Sequence, residues 1–510
     1  MKRPTLRIAL FVCATLLPCT ASAIPEGPEA NTPEWLARET ANYAHVLEAD
    51  AELALQPDYL LIWTLRGNTN HLDWLQRALT DPSWLSPLSG NTAVTPVAAT
   101  WGAVATGDPT RYPDANGANG RTFYEQEAEV IPVVFYDDGC ARISGRVWAP
   151  RNAKPGDRLP GVVIQNGSIQ ASETLYWWMA QPLVRAGYIV MTFDPRGQGR
   201  SDLQTPTLQQ GGNFNTAVFS DGFTHIVDFF RSTPVAPYPN NVTCEGTYPT
   251  EVTAFNPFYD RIDADRLGVT GHSAGAFGVS AAQGFPGDRF AFPDAHGGNP
   301  IDVIVAWDSL QYSTDTPPRV PAMGQTSEYL VAAPPHVTPP DPEADKAAYR
   351  GWVEADVPVY QVTVAGSTHF DWSLLPGFPA SAWCPDISTG VCEGGWAQPM
   401  IVHYSLAWLD RWLKQPGEPG YADADARLLD DASWCSRYSV YNRAGRDYRD
   451  RGGKAHQSED IRADCVAGKI DTPSASASAG DASGGGAMGW LALMLGLIFA
   501  TLRRTGPAPR

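Results

Sequence analysis

Basic charge is scarce in this 510-residue chain: 37 Lys and Arg stand against 55 Asp and Glu, a formal net charge of −18. The imbalance argues against nucleic acid and anionic membrane surfaces as natural partners, because both attract positive charge. Zinc-type spacing is missing too, with no CxxC and no closely spaced Cys/His pair. The P-loop, a GxGxxG in a strand–helix context, HExxH and the EF-hand loop are absent, so neither cofactor nor metal is expected. No long internal repeat of the propeller kind is visible.

What is present is enough apolar and aromatic material for a large core: 43% hydrophobic residues, 17 Trp and 19 Tyr. The first residues, MKRPTLRIALFVCATLLPCTASA, read as a signal peptide. Lys2, Arg3 and Arg7 form the basic region, Ile8 to Leu17 a short apolar run, and Ala21-Ser22-Ala23 the cleavage site. Export gives the remaining cysteines a disulfide reading: Cys140, Cys244, Cys384, Cys392, Cys435 and Cys465. Cys384 with Cys392 closes a short loop and is the first expected pair. Cys435 with Cys465 would staple the C-terminal extension, although spacing alone does not fix connectivity.

The chain divides into a leader (1–23), an N-terminal helical and irregular extension (24–125), a catalytic region (126–415), a C-terminal extension (416–470), a linker (471–486) and an apolar end (487–510). Helical spacing runs from Pro33 to Leu55, with Thr32 as N-cap, and again from Tyr59 to Ala78. EVIPVVFYDDGCARISGRVWAP predicts two strands joined at Asp138-Gly139. Beyond it apolar strands (LPGVVIQNG, YIVMTFD, RLGVTG, DVIVAW, RVPAMGQ, VYQVTVAG) alternate with helical segments, closing on MIVHYSLAWLDRWLK. The pattern predicts an α/β fold with a mostly parallel sheet covered by helices on both faces. DTPSASASAGDASGGG then makes a linker, and AMGWLALMLGLIFATL before Arg503-Arg504 is short for a membrane span.

Gly271-His272-Ser273-Ala274-Gly275 follows the strand RLGVTG and opens a helix-forming run. Strand, sharp turn and helix are the context in which a G-x-S-x-G serine is a nucleophile. The turn exposes the hydroxyl, and the helix N-terminus offers backbone N–H groups to a developing oxyanion. His369, in GSTHFDW after the strand VYQVTVAG, is the expected base. His336 in a proline-rich loop and His403 inside the closing helix are expected to be structural, and His272 cannot reach round to its own neighbour. Two carboxylates follow late strands, and either can orient the imidazole.

With those residues the region 126–415 resembles the α/β-hydrolase superfamily, in its dienelactone-hydrolase and cutinase-like esterase branch. Asp194-Pro195-Arg196-Gly197-Gln198-Gly199-Arg200-Ser201 is similar to the family's loop after the fourth strand, and Gln165-Asn166-Gly167-Ser168 stands where its oxyanion loop lies. The resemblance implies an oxyanion hole from the amides of Ser168 and Ala274. It favours Glu328, after the seventh strand, as the triad acid, with Asp308 as the alternative. It also implies that Trp307 is a cleft aromatic and Asp308 structural. The apolar tail resembles glycine-glycine (rhombosortase-type) sorting signals, which imply a C-terminal processing protease, transient membrane association, and delivery to the periplasm, the cell surface or the medium.

The expected function is metal-free cleavage of small or polymeric carboxylic esters by Ser273, His369 and an acid, with no nucleic-acid partner. A secreted peptidase of the prolyl-oligopeptidase-like branch and a catalytically silent hydrolase-fold binding protein are the alternatives.

Overall fold

The computed structural model describes residues 32–37, 40, 123–168, 173–199, 201–211, 215–308, 310–329, 336, 338–373 and 397–469. The chain enters its sheet as an antiparallel hairpin, β1 (Ala128–Tyr136) and β2 (Arg142–Pro150). Its connection spans 137–141, wider than a two-residue turn at Asp138-Gly139. It is held by the Asp137 carboxylate, which accepts the N–H groups of Gly139 and Ala141.

After the hairpin the strands are buried along most of their length. They are β3 (Leu159–Gln165), β4 (Ile189–Asp194), β5 (Ile262–His272), β6 (Val303–Trp307), β7 (Ala322–Tyr329) and β8 (Val359–Thr368). Runs of successive apolar residues stand in β3, β4 and β6. Such strands need cover on both faces. On one face Val162, Ile164, Val190, Val303, Val305 and Trp307 pack against α1 (Trp177–Arg185). On the other, Val163, Met191, Val269 and Ile304 pack against α2 (Asp221–Arg231), α3 (Ala274–Ala282) and α4 (Ala347–Glu354). The long helix α5 (Gln398–Leu413) completes the first face.

The segment 416–470 is not a separate appendage. It supplies β9 (Gly445–Arg449) and β10 (Ala455–Ser458), which extend the sheet antiparallel from β8. One mixed ten-stranded sheet results, in the order β1-β2-β4-β3-β5-β6-β7-β8-β9-β10, with β4, β3, β5, β6, β7 and β8 parallel. This is an α/β architecture compatible with the α/β-hydrolase expectation. The chain leaves β3 toward α1 on one face and leaves β5 into α3 on the other. The divergence falls between the adjacent strands β3 and β5, at whose carboxyl ends ligands bind in sheets of this kind.

Two cysteine pairs are joined. Cys140–Cys244 ties the hairpin connection to the short helix Pro239–Thr243, and Cys435–Cys465 staples the C-terminal segment as expected. At the other end Thr32 caps a helical turn at 33–37, its Oγ1 accepting the Trp35 N–H. The leader, the remainder of 24–122, Cys384, Cys392, the linker and the apolar tail lie outside the described residues. Among the described residues no helix is long and apolar enough to cross a membrane.

Candidate active site

β5 runs directly into Ser273, whose backbone stands at φ +57°, ψ −118° before α3 begins. A side chain at such a φ costs about 1–3 kcal/mol and persists only where its surroundings impose it. Two contacts impose it here. The Ser273 N–H donates to the Trp307 carbonyl at the end of β6, and the Ser273 carbonyl accepts the Phe277 N–H to start the helix. The flanking glycines are required sterically. A Cβ on Gly271 would meet the Gly275 carbonyl oxygen at 2.3 Å, and one on Gly275 would meet the Asn166 and Gln165 carbonyls at 2.5 and 2.6 Å. The G-x-S-x-G spacing is thus a packing condition of the Ser273 turn, within the turn at Gly271 and against the end of β3 at Gly275.

His369 follows β8, and its Nδ1 lies 2.6 Å from Asp308 Oδ2. Nδ1 is therefore the protonated nitrogen, which leaves Nε2 as the basic one. Asp308 leaves β6 at φ +45° and also accepts the N–H and hydroxyl of Ser327, each at 2.9 Å. Burial pushes the Asp308 carboxyl up. The His369 hydrogen bond and charge, the Ser327 amide and His272 more than offset this, and hold it below the usual carboxylate range.

Glu328, the favoured acid, does not meet His369. Its Oε2 accepts the Gly366 N–H and its Oε1 accepts the Ser439 hydroxyl, both at 2.6 Å. The physical reason is that β7 stays paired with β8 as far as Tyr329–Thr368, with a register shift between Ser327 and Tyr329. At that irregularity Glu328 is spent on the backbone of the turn leading to the histidine. The carboxylate at the imidazole is Asp308, one strand earlier. Trp307 also departs from expectation. It is fully buried, donates its indole N–H to Ser405, and packs on Trp178 at 5.3 Å between ring centroids. Alternation along β6 sends it into the core beneath α5 instead of to a cleft wall. Trp177, Trp178 and Trp372 are core residues as well.

Asn166-Gly167-Ser168, the expected oxyanion loop, leaves β3 against Ser273: a Cβ on Gly167 would lie 3.1 Å from Ser273 Cβ. Ser168 is the next residue. Ala274 opens α3, so its N–H has no acceptor within the helix. Val218 and Phe219 form a small apolar cluster with Ala274.

Sequence reasoning did not single out Tyr176, and it set His272 aside. Tyr176 Oη accepts the Gly167 N–H at 2.8 Å and lies 3.0 Å from His272 Nδ1. His272 Nε2 lies 2.8 Å from the His369 carbonyl, with the two imidazole centroids 4.6 Å apart. Burial and then the charge of His369 push the His272 pKa down to about 3, against smaller opposing contributions from Asp308 and the His369 carbonyl. The turn that carries Ser273 is therefore hydrogen-bonded, through His272, to the backbone of His369. His336 sits between the rings of Tyr329 and Tyr441, and His403 donates to the Arg427 carbonyl from α5. Both stand apart from the site.

No protein-family description matches the chain, and no curated protein matches it in sequence.

Proposed function

We propose that this protein is an exported serine hydrolase of the α/β-hydrolase type that cleaves carboxylic esters. The observation that carries the reading is the meeting of two constrained turns: Ser273 on its positive-φ strand-to-helix turn, and the Asp308–His369 pair on neighbouring strand ends. Ser273 Oγ attacks the ester carbonyl while His369 Nε2 takes its proton, and Asp308 stabilises the imidazolium that forms. The N–H groups of Ser168 and Ala274 receive the oxyanion. Collapse expels the alcohol, protonated by His369, and water attacks the acyl-enzyme by the reverse sequence. The apolar cluster of Val218, Phe219 and Ala274 beside the nucleophile supports an apolar acyl group.

Export is supported by the Cys140–Cys244 and Cys435–Cys465 pairs, which suit an oxidising compartment. Removal of the C-terminal segment by a processing protease, after transient membrane association, is part of the same proposal.

The test is hydrolysis of a short-chain and a long-chain p-nitrophenyl ester by the full-length protein, beside Ser273→Ala, with labelling by a fluorophosphonate probe. Turnover and labelling that both vanish in Ser273→Ala bear the proposal out. An inert wild type that takes no label turns the reading to a silent hydrolase-fold binding protein.

A further inference from the structure

Four groups around the nucleophile turn have their hydrogen-bonding directions fixed by elimination. The His369 carbonyl can only accept, so the nitrogen facing it, His272 Nε2, carries a hydrogen. A neutral imidazole has one N–H, so His272 Nδ1 is an acceptor, and the group 3.0 Å away that can donate to it is the Tyr176 hydroxyl. That hydroxyl in turn accepts the Gly167 N–H. The result is a one-way chain: Gly167 N–H to Tyr176 Oη, Tyr176 O–H to His272 Nδ1, and His272 Nε2–H to the His369 carbonyl. Each donor in it has an acceptor. Tyr176 and His272 are both buried, so water does not compete for these bonds.

The chain joins three separate pieces of backbone. Gly167 belongs to the loop after β3, Tyr176 to the short helix Glu173–Tyr176 leading into α1, and His272 to the last position of β5. It ends on the backbone of the base itself. We infer that Tyr176 and His272 are positioning residues, which hold the oxyanion loop in register with the turn that carries the base. The inference rests on the ester-hydrolase reading and names two further residues on which its rate depends. Fixing the Gly167 peptide fixes where the Ser168 N–H is aimed, and oxyanion donors lose their effect when displaced by a fraction of an ångström. The chain requires His272 to stay neutral. The titratable groups facing it are Tyr176 ahead of α1, Asp308 at the end of β6 and His369 after β8. A protonated His272 would present Nδ1–H to Tyr176 and break the order of donors.

The experiment uses the full-length protein, Tyr176→Phe, His272→Gln and His272→Leu. Tyr176→Phe keeps the ring and removes both of its bonds; kcat is expected to fall roughly tenfold or more while KM changes by less than about threefold. His272→Gln keeps an amide N–H able to reach the His369 carbonyl, so it retains several-fold more kcat than His272→Leu at similar thermal midpoints. A readout independent of turnover is the imidazole nitrogen spectrum of protein labelled with nitrogen-15 histidine. The resonances lost in His272→Gln should show a neutral Nε2–H tautomer at pH 7 that persists to pH 5. Wild-type kcat in Tyr176→Phe, or a His272 signal of the Nδ1–H tautomer or one titrating like an ordinary histidine, overturns the inference. Fluorophosphonate labelling of Ser273 separates the two failures. A labelled wild type with an unaffected Tyr176→Phe sinks the chain alone. An unlabelled wild type sinks the hydrolase reading and with it the chain's role in turnover, and the nitrogen spectrum still decides whether the chain exists.

Discussion

His369 Nδ1 and Asp308 Oδ2 stand 2.6 Å apart, and Asp308 reaches that position from a backbone at φ +45° immediately after β6. A carboxylate so placed selects the histidine tautomer and stabilises the imidazolium. Asp308→Asn keeps the shape and can donate to Nδ1, which favours the wrong tautomer. Its kcat on p-nitrophenyl esters should fall by about 10³–10⁴. Glu328→Gln still accepts the Gly366 N–H through its amide oxygen, and should lose less than about tenfold. The two kcat values, measured side by side, decide which carboxylate serves the base. An active Asp308→Asn beside an inert Glu328→Gln would reverse the assignment.

The glycines that flank the nucleophile give a steric prediction. A Cβ at Gly275 would press on two backbone carbonyls of the oxyanion loop, those of Asn166 and Gln165, and neither can rotate away as a side chain could. Gly275→Ala should therefore cost about 1–3 kcal/mol of stability by overpacking and displace Ser168 from the oxyanion position. Urea denaturation with a matched kcat measurement checks both effects. A variant of wild-type stability and rate would mean that the loop after β3 gives way freely.

Strands β3, β4 and β6 were legible because they are apolar at successive positions, and the places of Ser273 and His369 were legible because each stands at a turn directly after an expected strand. The acid was not. Nothing in RVPAMGQTSEY announces that β7 stays paired with β8 through a register shift between Ser327 and Tyr329, and this shift engages Glu328 with Gly366. Trp307 was misplaced for a related reason. Proximity to Asp308 in sequence is not proximity in direction, since neighbouring strand residues face opposite sides of a sheet. β9 and β10 are short and polar, GRDYR and AHQS, and carry no pattern that distinguishes edge strands from loop. The bonds of Tyr176 and His272 were not legible, since they form only where the loop after β3, the helix Glu173–Tyr176 and the end of β5 meet in space.

The cysteine pairs make a comparative prediction. Cys140–Cys244 spans 104 residues and Cys435–Cys465 spans 30. In the chain-entropy account the longer closed loop restricts the unfolded chain more, by about 1 kcal/mol at this ratio of lengths. Replacing Cys140 and Cys244 by Ala should thus lower stability to denaturant more than replacing Cys435 and Cys465 does. The Cys140–Cys244 variant should also loosen the hairpin connection at 137–141. Equal losses from the two double variants would show that local packing, and not loop closure, sets the contribution.

Asp345 supplies a pH dependence whose sign can be worked out. Burial and then the negative charge of Asp308 push its carboxyl up to about 6, against hydrogen bonds from Asn442 and Thr326. In the unfolded chain an aspartate titrates near 3.9. The folded protein thus holds this proton more tightly than the unfolded chain does. The group's contribution to stability is fully present below about pH 4 and is lost as pH rises through about 6. Asp345→Asn cannot ionise, so it should match wild type at pH 4 and exceed it at pH 8. For a half-buried group partly screened by solvent the gain should be about 1 kcal/mol. Denaturation midpoints of the two proteins between pH 4 and 8 should diverge as the pH rises. Parallel curves would show that Asp345 holds its proton no more tightly in the fold than in the unfolded chain, and that neither burial nor the charge of Asp308 raises its carboxyl.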